Sequence, residues 1–304
     1  MRVVEVSEPG GPEVLRVVER PEPVAGTGEV VVAVEAAGVN PTDLAARQGM
    51  TVGDSASPPY VLGWDFAGTV HAVGEGVDRF APGRAVVGMV PWYAVHGRVG
   101  AYAERIAVPQ EWVLPRPEGL GAVDAATVPL NALTAAQLLD RLPVRPGSQV
   151  LVTGASGAVG GYAVQLAVRA GHRVTAVAGT GDEEWVRGIG AHVVLPRDTD
   201  YSGVGEFSAV VDAVPVGEAL FPAVARGGKV VSTRPVADAP AGAGIVQEVM
   251  LVDLDLPLLE RLVGEVAAGR LRTRVERTFP LEAAADAHRA AEERGRRGKV
   301  VLTP

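Results

Sequence analysis

The chain has 304 residues, of which 47% are hydrophobic and 21% charged, and its formal net charge is −8. This length suggests two domains or one large one, and the negative charge argues against nucleic acid as a main partner. The absence of cysteine excludes disulfides, thiolate catalysis and cysteine-ligated zinc. No apolar run approaches a membrane span, and the first residues resemble a strand rather than a signal peptide. We therefore expect a soluble, cytoplasmic protein.

The first part of the chain, up to about residue 121, is predicted to form a compact β-domain. Apolar, β-branched runs occur at 3–6, 29–36 and 68–73, and Gly- and Pro-rich turns separate them.

Beyond residue 121 the pattern alternates between helices and strands. A helix is predicted over 123–142 and another over 158–170. Strands are predicted over 149–153, 172–177, 192–195, 209–214 and 229–232. Such alternation builds a parallel sheet with right-handed crossovers. Two amphipathic helices, over 257–268 and 281–293, and a strand over 299–302 complete the chain.

A glycine-rich turn joins the strand at 149–153 to the helix that follows it. Its glycines are Gly154, Gly157 and Gly160, which suit a tight turn, close approach of the backbone to a diphosphate, and close helix–strand packing. The helix N-terminus adds N–H donors and a partial positive charge. We predict a dinucleotide site here; the alternative is an ordinary strand–helix turn without a ligand. The candidate cofactor-binding residues are Thr134, Gly154, Ser156, Gly157, Ala158, Val159, Gly160, Thr180, Arg197 and Val214.

Six segments resemble, in the right order, the zinc-independent quinone oxidoreductase branch of the medium-chain dehydrogenase/reductase superfamily, which includes zeta-crystallin. They are GVNPTD (38–43), GWDFAGTV (63–70), GAYAE (100–104), NALTAAQLL (131–139), GASGAVG (154–160) and RRGKVVL (296–302). The resemblance implies an α/β protein with a GroES-like β-domain over 1–121, completed by 270–304. It also implies a Rossmann NADP-binding domain with a doubly wound parallel sheet over 122–269, and a homodimer.

The resemblance also distinguishes the zinc-containing enzymes of this superfamily from the zinc-free ones. Zinc alcohol dehydrogenases of this superfamily need a thiolate where Asn40 stands and a His–Glu pair where Trp64 and Asp65 stand. Zinc prefers Cys and His ligands, and the five histidines show neither HxxxH nor HExxH spacing. Without a Lewis acid, alkoxide formation loses its main stabilisation. We therefore predict reduction of quinones or enones by direct hydride transfer, with no obligatory side-chain acid.

The cofactor preference is predicted from the end of the second strand of the alternating region. An NAD site usually has an acidic residue there, whereas this chain has no carboxylate before Asp182. A neutral pocket admits a 2′-phosphate, to which Thr180 can donate and Arg197 can supply a counter-charge. We predict NADPH, and we interpret the acids at 182–184 as a solvated helix start.

Three residues are candidates for the catalytic site. Asn40 is placed near the nicotinamide by the resemblance, with a turn-forming Asn before Pro41 as the alternative. Asp43 is a second candidate, for which hydrogen bonding to nearby backbone is the favoured role. Tyr60 is the third, as a possible acid. Thr134 is interpreted either as a phosphate contact or as a helix cap.

Two other functions stay open at the level of the sequence. An enoyl-thioester reductase would use the same fold but needs a basic groove for a carrier phosphate. A non-catalytic NADPH-binding protein of the crystallin type is the other alternative, because a fold alone does not establish catalysis.

Overall fold

The computed structural model describes residues 1–50, 57–293, 295 and 297–304. They form two compact units. Unit 1 comprises Met1–Leu130, Leu254–Arg270 and Arg274–Pro304, and unit 2 comprises Asn131–Asp253 and Leu271–Thr273.

The helices and strands are numbered separately in chain order. The N-terminal stretch contains β1 (Arg2–Val6), β2 (Leu15–Glu19), β3 (Glu29–Gly38), α1 (Pro41–Arg47), β4 (Tyr60–Val61), β5 (Asp65–Val73), β6 (Ala85–Met89), β7 (Arg105–Pro109), β8 (Val113–Pro115) and α2 (Ala122–Ala125). The middle stretch contains α3 (Pro129–Asp140), β9 (Gln149–Thr153), α4 (Ala158–Arg169), β10 (Arg173–Ala178), α5 (Glu183–Gly188), β11 (Val193–Pro196), β12 (Phe207–Asp212), β13 (Val224–Ser232) and β14 (Val246–Val249). The last stretch contains α6 (Leu256–Ala267), β15 (Val275–Pro280), α7 (Ala284–Glu292) and β16 (Lys299–Thr303).

Unit 1 is built on a sheet with the path β15-β16-β3-β5-β6-β8, to which β7 is added by pairing with β3. A smaller sheet has the order β2-β1-β4. The final strand runs antiparallel to β3, with Val301 opposite Gly38 and Leu302 opposite Ala37. This register brings Lys299, at the start of β16, next to the residues that follow β3.

Unit 2 contains a parallel sheet with the strand order β11-β10-β9-β12-β13-β14. Renumbered within the unit, this is the 3-2-1-4-5-6 order of a doubly wound dinucleotide-binding fold. The order reverses between β9 and β12, and ligands of such sheets bind beyond the carboxyl ends of the strands at that point. The predicted fold class is therefore confirmed.

The observed unit boundaries differ from the predicted ones of 1–121, 122–269 and 270–304. The chain returns to unit 1 at Leu254, because helix α6 packs against β8. The apolar face of this helix buries Leu259, Leu262 and Val263, so α6 is part of unit 1 and not the last helix of the nucleotide-binding unit.

Local sequence signals explain most of the differences between predicted and observed elements. The helix predicted over 123–142 is divided into α2 and α3, because Pro129 has no N–H to continue a helix and instead begins one. The helix predicted over 281–293 starts with the 3-10 turn Leu281–Ala283 before α7. The sequence did not predict several strands, namely β2, β4, β6, β7, β8, β14 and β15. Of these, β14 and β15 lack the alternating apolar pattern of a half-buried strand.

Within the described ranges, no helix has both the length and the apolar character needed to cross a membrane.

Candidate active site

The glycine turn of unit 2 is packed too tightly to hold side chains. Gly154 has a φ of 63°, which favours glycine, and a Cβ on it would lie 2.3 Å from Val214 Cγ2. A Cβ on Gly160 would lie 2.3 Å from the Gly154 carbonyl oxygen. Gly154 is thus favoured by its positive φ and the neighbouring Val214 side chain, and Gly160 by close approach of the Gly154 backbone.

The first turn of α4 begins directly beyond this turn. Gly157 is the N-cap residue and offers no side-chain hydrogen bond to the helix, whose first residues are Ala158 and Val159. A Cβ on Gly157 would lie 3.3 Å from the Gly154 carbonyl oxygen, so a side chain there would need only a small shift of this neighbour. A helix N-terminus without a side-chain cap suits an anion. The residues present therefore fit the diphosphate of a dinucleotide.

Two hydrogen bonds tie this turn to the neighbouring strand ends. Ser156 Oγ accepts from the Gly179 N–H, beyond β10, at 3.0 Å. Thr153 Oγ1 donates to Asp212 Oδ1, at the end of β12, at 2.6 Å. Burial raises the pKa of Asp212 against the opposing bond from Thr153. These bonds fix the loops on both sides of the reversal in strand order.

Val214 and Thr134 belong to the same unit as the glycine turn. Val214 is 52% exposed, so its apolar side chain covers Gly154 on one side and faces solvent on the other. Thr134 is buried in the middle of α3. The alternative interpretation of Thr134 as a helix cap is therefore wrong.

The loop beyond β10 contains the groups that bear on cofactor choice. From the position that a Cβ on Gly179 would take, Arg197 Nη2 is 3.1 Å away and Asp182 Oδ2 is 3.7 Å away. Thr180 and Arg197 are exposed. Asp182 is only 3% exposed, so its interpretation as part of a solvated helix start is wrong, whereas Glu184 is exposed as expected. A cation and an anion thus lie beside the same loop.

Unit 1 contains a buried polar cluster, which we define as Asn40, Asp43, Asp65 and Lys299. Asn40 is 1% exposed; its Nδ2 donates to Asp65 Oδ2 at 2.9 Å, and its Oδ1 accepts from Lys299 Nζ. Lys299 also donates to the Val39 carbonyl oxygen. The amide of Asn40 is thus held at both ends by side chains of β5 and β16.

Asp43 fixes backbone rather than facing solvent. Its Oδ2 accepts from the Asn40 N–H at 2.8 Å and its Oδ1 from the Gly63 N–H at 3.0 Å, which confirms the favoured interpretation of this residue. The bond to Asn40 is half of a capping box at the start of α1. Asp65 makes a similar link, because its Oδ1 accepts from the Leu130 N–H at 2.8 Å.

Burial shifts the protonation of both carboxyl groups towards neutrality. It raises the pKa of Asp43 to about 7, against the bonds from Asn40 and Gly63 and the charge of Lys299. Burial also raises the pKa of Asp65 to about 6, against the charge of Lys299 and the bond from Asn40. Lys299 is thus the positive charge that favours ionisation of both groups.

The polar cluster does not fit a zinc ion. The oxygen of Asn40 faces the Lys299 ammonium, and a second cation at that oxygen would be repelled. In the part of the chain that the structure describes, no group of three or more His, Cys, Asp or Glu side chains could hold a metal ion.

Tyr60 is buried in the packed interior of unit 1. Its hydroxyl donates to the Ala46 carbonyl oxygen at 2.5 Å, and its ring packs edge-on against Trp92 at 5.4 Å. Burial raises its pKa further above the usual range. A buried, bonded hydroxyl of this kind is a poor acid, so we do not retain Tyr60 as a catalytic candidate. Burial, and then the charge of Asp43, raise the pKa of half-buried Tyr93.

Sequence reasoning missed Lys299, Tyr102 and His288 as members of the site region. Lys299 opens an apolar strand, KVVLT, where a buried lysine is unusual; that position was the available signal. Tyr102 and His288 are buried side by side, with the hydroxyl 3.1 Å from Nε2. Nothing in the local sequence of either residue indicates this pairing.

Comparison with known proteins identifies the family to which the chain belongs. Residues 26–118 match the alcohol dehydrogenase GroES-like domain family, and residues 189–302 match the zinc-binding dehydrogenase family. The chain is 30% identical over 319 aligned positions to a chloroplast envelope quinone oxidoreductase homolog of Arabidopsis thaliana, covering 97% of this chain and 95% of that protein. The chain belongs to the quinone oxidoreductase-like medium-chain dehydrogenases/reductases.

Two further members of this superfamily bear on cofactor and substrate. An NADPH-dependent alkenal/one oxidoreductase of Arabidopsis thaliana is 29% identical, over 98% of this chain and 78% of that protein. A solved structure described as an NAD-dependent alcohol dehydrogenase is 33% identical, with a TM-score of 0.88 over the whole of both chains. The protein is thus an oxidoreductase of this superfamily.

Proposed function

We propose that this enzyme reduces quinones or enones with NADPH, by direct hydride transfer and without zinc. The proposal that no zinc is used is supported by the hydrogen bond from the Lys299 ammonium to Asn40 Oδ1. This bond puts a fixed cation at the residue that the resemblance aligns with a zinc ligand. A protein-borne ammonium balances the buried carboxylates without a metal.

Unit 2 supplies the proposed cofactor site. The turn at Gly154, Gly157 and Gly160 with the start of α4 accommodates the diphosphate. Thr134 and Val214 complete the set of proposed contacts. Arg197 and Thr180, both exposed at the loop after β10, are the donors proposed for the 2′-phosphate. Their exposure leaves them accessible to a ligand, whereas Asp182 is buried.

The proposed substrates are compounds that can accept a hydride without a metal ion or a side-chain acid. NADPH supplies a hydride when it is bound. A quinone that gains this hydride becomes a hydroquinone anion, which is stabilised by resonance and takes its proton from water. An enone gains the hydride at its β-carbon and a proton at its α-carbon. The protein's own contribution is binding, orientation and exclusion of water, with Asn40 and Asp43 fixed by the contacts of unit 1.

Steady-state NADPH oxidation with a quinone, an enone and an enoyl thioester tests this proposal. We expect turnover with the first two, undiminished after dialysis against a strong chelator. Turnover restricted to the thioester would favour the enoyl-thioester reductase. Binding of NADPH by calorimetry without turnover of any of the three would favour a non-catalytic binding protein, and activity restored only by added zinc would contradict the zinc-free mechanism.

A homodimer and a cytoplasmic location also remain predictions. Sedimentation velocity of the purified protein and fractionation of the source cells test them.

A further inference from the structure

The loop beyond β12 is built around two buried polar side chains. Asp212, at the end of β12, and Thr153, at the end of the neighbouring strand β9, are both fully buried. The Thr153 hydroxyl donates to Asp212 Oδ1 at 2.6 Å. The Val216 N–H donates to the same carboxylate, at 3.0 Å from Oδ2 and 3.3 Å from Oδ1. The carboxylate of Asp212 is thus bonded both to its own loop and to the adjacent strand.

The Thr153 hydroxyl also binds the middle of this loop. An ionised carboxylate only accepts hydrogen bonds, so the hydroxyl hydrogen points to Asp212 and the hydroxyl oxygen is left to accept. The Val214 N–H donates to this oxygen at 3.3 Å. Removal of the hydroxyl would therefore leave Asp212 without one of its donors and the Val214 N–H without its acceptor.

These bonds determine where the Val214 side chain lies. A Cβ on Gly154 would be 2.3 Å from Val214 Cγ2 and 3.5 Å from Val214 N, so the valine lies directly against the first glycine of the turn. About half of the valine is exposed to solvent, at 52%. An exposed apolar side chain that is fixed beside a ligand-binding turn can pack against the apolar face of a bound group.

The topology of the sheet indicates which part of a dinucleotide this loop would meet. A doubly wound sheet consists of two mononucleotide-binding halves, and a dinucleotide lies across the point where the strand order reverses. The first half, β9 to β11, contains the glycine turn for the diphosphate and the loop beyond β10 for the adenosine ribose. The second half begins with β12. The loop beyond β12 is therefore left for the nicotinamide riboside.

We propose that Thr153 and Asp212 are positioning residues for the nicotinamide half of the cofactor. Their hydrogen bonds hold Val214 beside Gly154, where its side chain packs against the nicotinamide riboside. Neither Thr153 nor Asp212 contacts a reacting atom in this account. The inference rests on the proposed function, because it requires that unit 2 binds a nicotinamide dinucleotide.

The experiment compares Thr153→Val, which has nearly the same shape without the hydroxyl, with Thr153→Ser, which retains the hydroxyl. Isothermal calorimetry measures the Kd for NADPH and for adenosine 2′,5′-bisphosphate, which has the 2′-phosphate but no nicotinamide. Thr153→Val should raise the Kd for NADPH about tenfold and leave the Kd for the bisphosphate unchanged. Thr153→Ser should retain the wild-type Kd for both ligands.

Amide hydrogen exchange of the full chain without cofactor gives a second readout. Peptides that cover 213–217 should exchange about tenfold faster in Thr153→Val than in the wild type, because the Val214 N–H has lost its acceptor. Thr153→Ser should exchange at the wild-type rate. Thr175→Val is the matched control, since it removes a hydroxyl within β10 of the same sheet, and it should change neither the affinities nor the exchange.

Three results with Thr153→Val would overturn the inference: equal losses of affinity for both ligands, unchanged affinity for both, or unchanged exchange of 213–217. If Thr153→Val does not fold, Asp212→Asn decides by the same measurements, because its amide nitrogen replaces one of the two acceptor oxygens. If the wild type does not bind NADPH, the proposed function fails together with this inference. If the wild type binds NADPH and only the variant results are contrary, the inference alone fails.

Discussion

Lys299 Nζ and Asn40 Oδ1 form a buried hydrogen bond between residues 259 positions apart in the chain. The antiparallel register of β16 on β3 brings them together. Lys299 also lowers the pKa values of Asp43 and Asp65, which burial raises. The Lys299 ammonium on the last strand thus donates to the Asn40 amide and favours the ionised forms of Asp43 and Asp65.

Replacing Lys299 by methionine should destabilise unit 1 strongly. Lys299→Met leaves Asn40 Oδ1 without this donor and two buried carboxyl groups without their nearby cation. We expect a loss of about 2–4 kcal/mol in the free energy of unfolding at pH 7, measured by urea denaturation.

Lys229→Met is the matched control, because Lys229 makes a partly exposed ion pair with Glu248 at 2.7 Å. Its loss should be much smaller. Equal losses in the two variants would show that the Lys299 contacts do not stabilise the cluster. The double variant Lys299→Met with Asp65→Asn should be less destabilised than the sum of the two single changes.

The parallel sheet and the glycine turn could be predicted because both depend on local sequence. Strand β9 and helix α4 follow from an apolar run, three glycines and a small-residue helix pattern, and they begin at the predicted residues. Gly154 has a positive φ within the turn, and a Cβ on Gly160 would meet the Gly154 carbonyl oxygen of the same turn. Signals of this kind do not require knowledge of distant residues.

The polar cluster of unit 1 could not be predicted in this way. Lys299 meets Asn40 only through strand register, and His288 meets Tyr102 across 186 positions of sequence. A single lysine or histidine in a sequence is more often an ordinary surface or core residue. Asp182 shows the same limit, since its burial depends on the path of the loop and not on its acidic neighbours.

Placing a carboxylate at the glycine turn should weaken nucleotide binding. Gly157→Asp puts a negative charge beside the proposed diphosphate, and we expect the Kd for NADPH to rise at least about tenfold, which corresponds to about 1.4 kcal/mol. Isothermal calorimetry measures it. Gly157→Asn has nearly the same shape without the charge and should lose less affinity, so equal affinities of Gly157→Asp and the wild type for NADPH would contradict the proposed site.

Cofactor preference should depend on Arg197. Arg197→Gln removes the proposed counter-charge for the 2′-phosphate, so the Kd for NADPH should rise about tenfold while that for NADH stays the same. Thr180→Asp should repel the phosphate and shift the preference towards NADH. Tighter binding of NADH than of NADPH by the wild-type enzyme would contradict the predicted preference for NADPH, independently of the results with the variants.

The neutral, buried state of His288 should make part of the stability depend on pH. Its folded pKa of about 3 lies below the ordinary value of 6.5, so the unfolded chain binds an additional proton between these two values. This contribution to stability is complete above pH 6.5 and is lost as the pH falls towards 3.

Comparison of the wild type with His288→Gln isolates this contribution, since the variant has no group that titrates there. The free energy of unfolding of the wild type relative to the variant should fall by about 1.4 kcal/mol per pH unit below pH 6. Urea denaturation at pH 7, 6 and 5 measures the difference. A difference that is constant over this range would show that the pKa of His288 in the folded protein stays at its ordinary value.

The most direct test of the proposed activity follows the label from deuterated NADPH into an enone. After a single turnover, mass spectrometry and NMR of the product locate the deuterium. The account predicts a saturated ketone with one deuterium at the former β-carbon. An allylic alcohol with deuterium at the carbonyl carbon would contradict it, because that product requires the chemistry of an alcohol dehydrogenase.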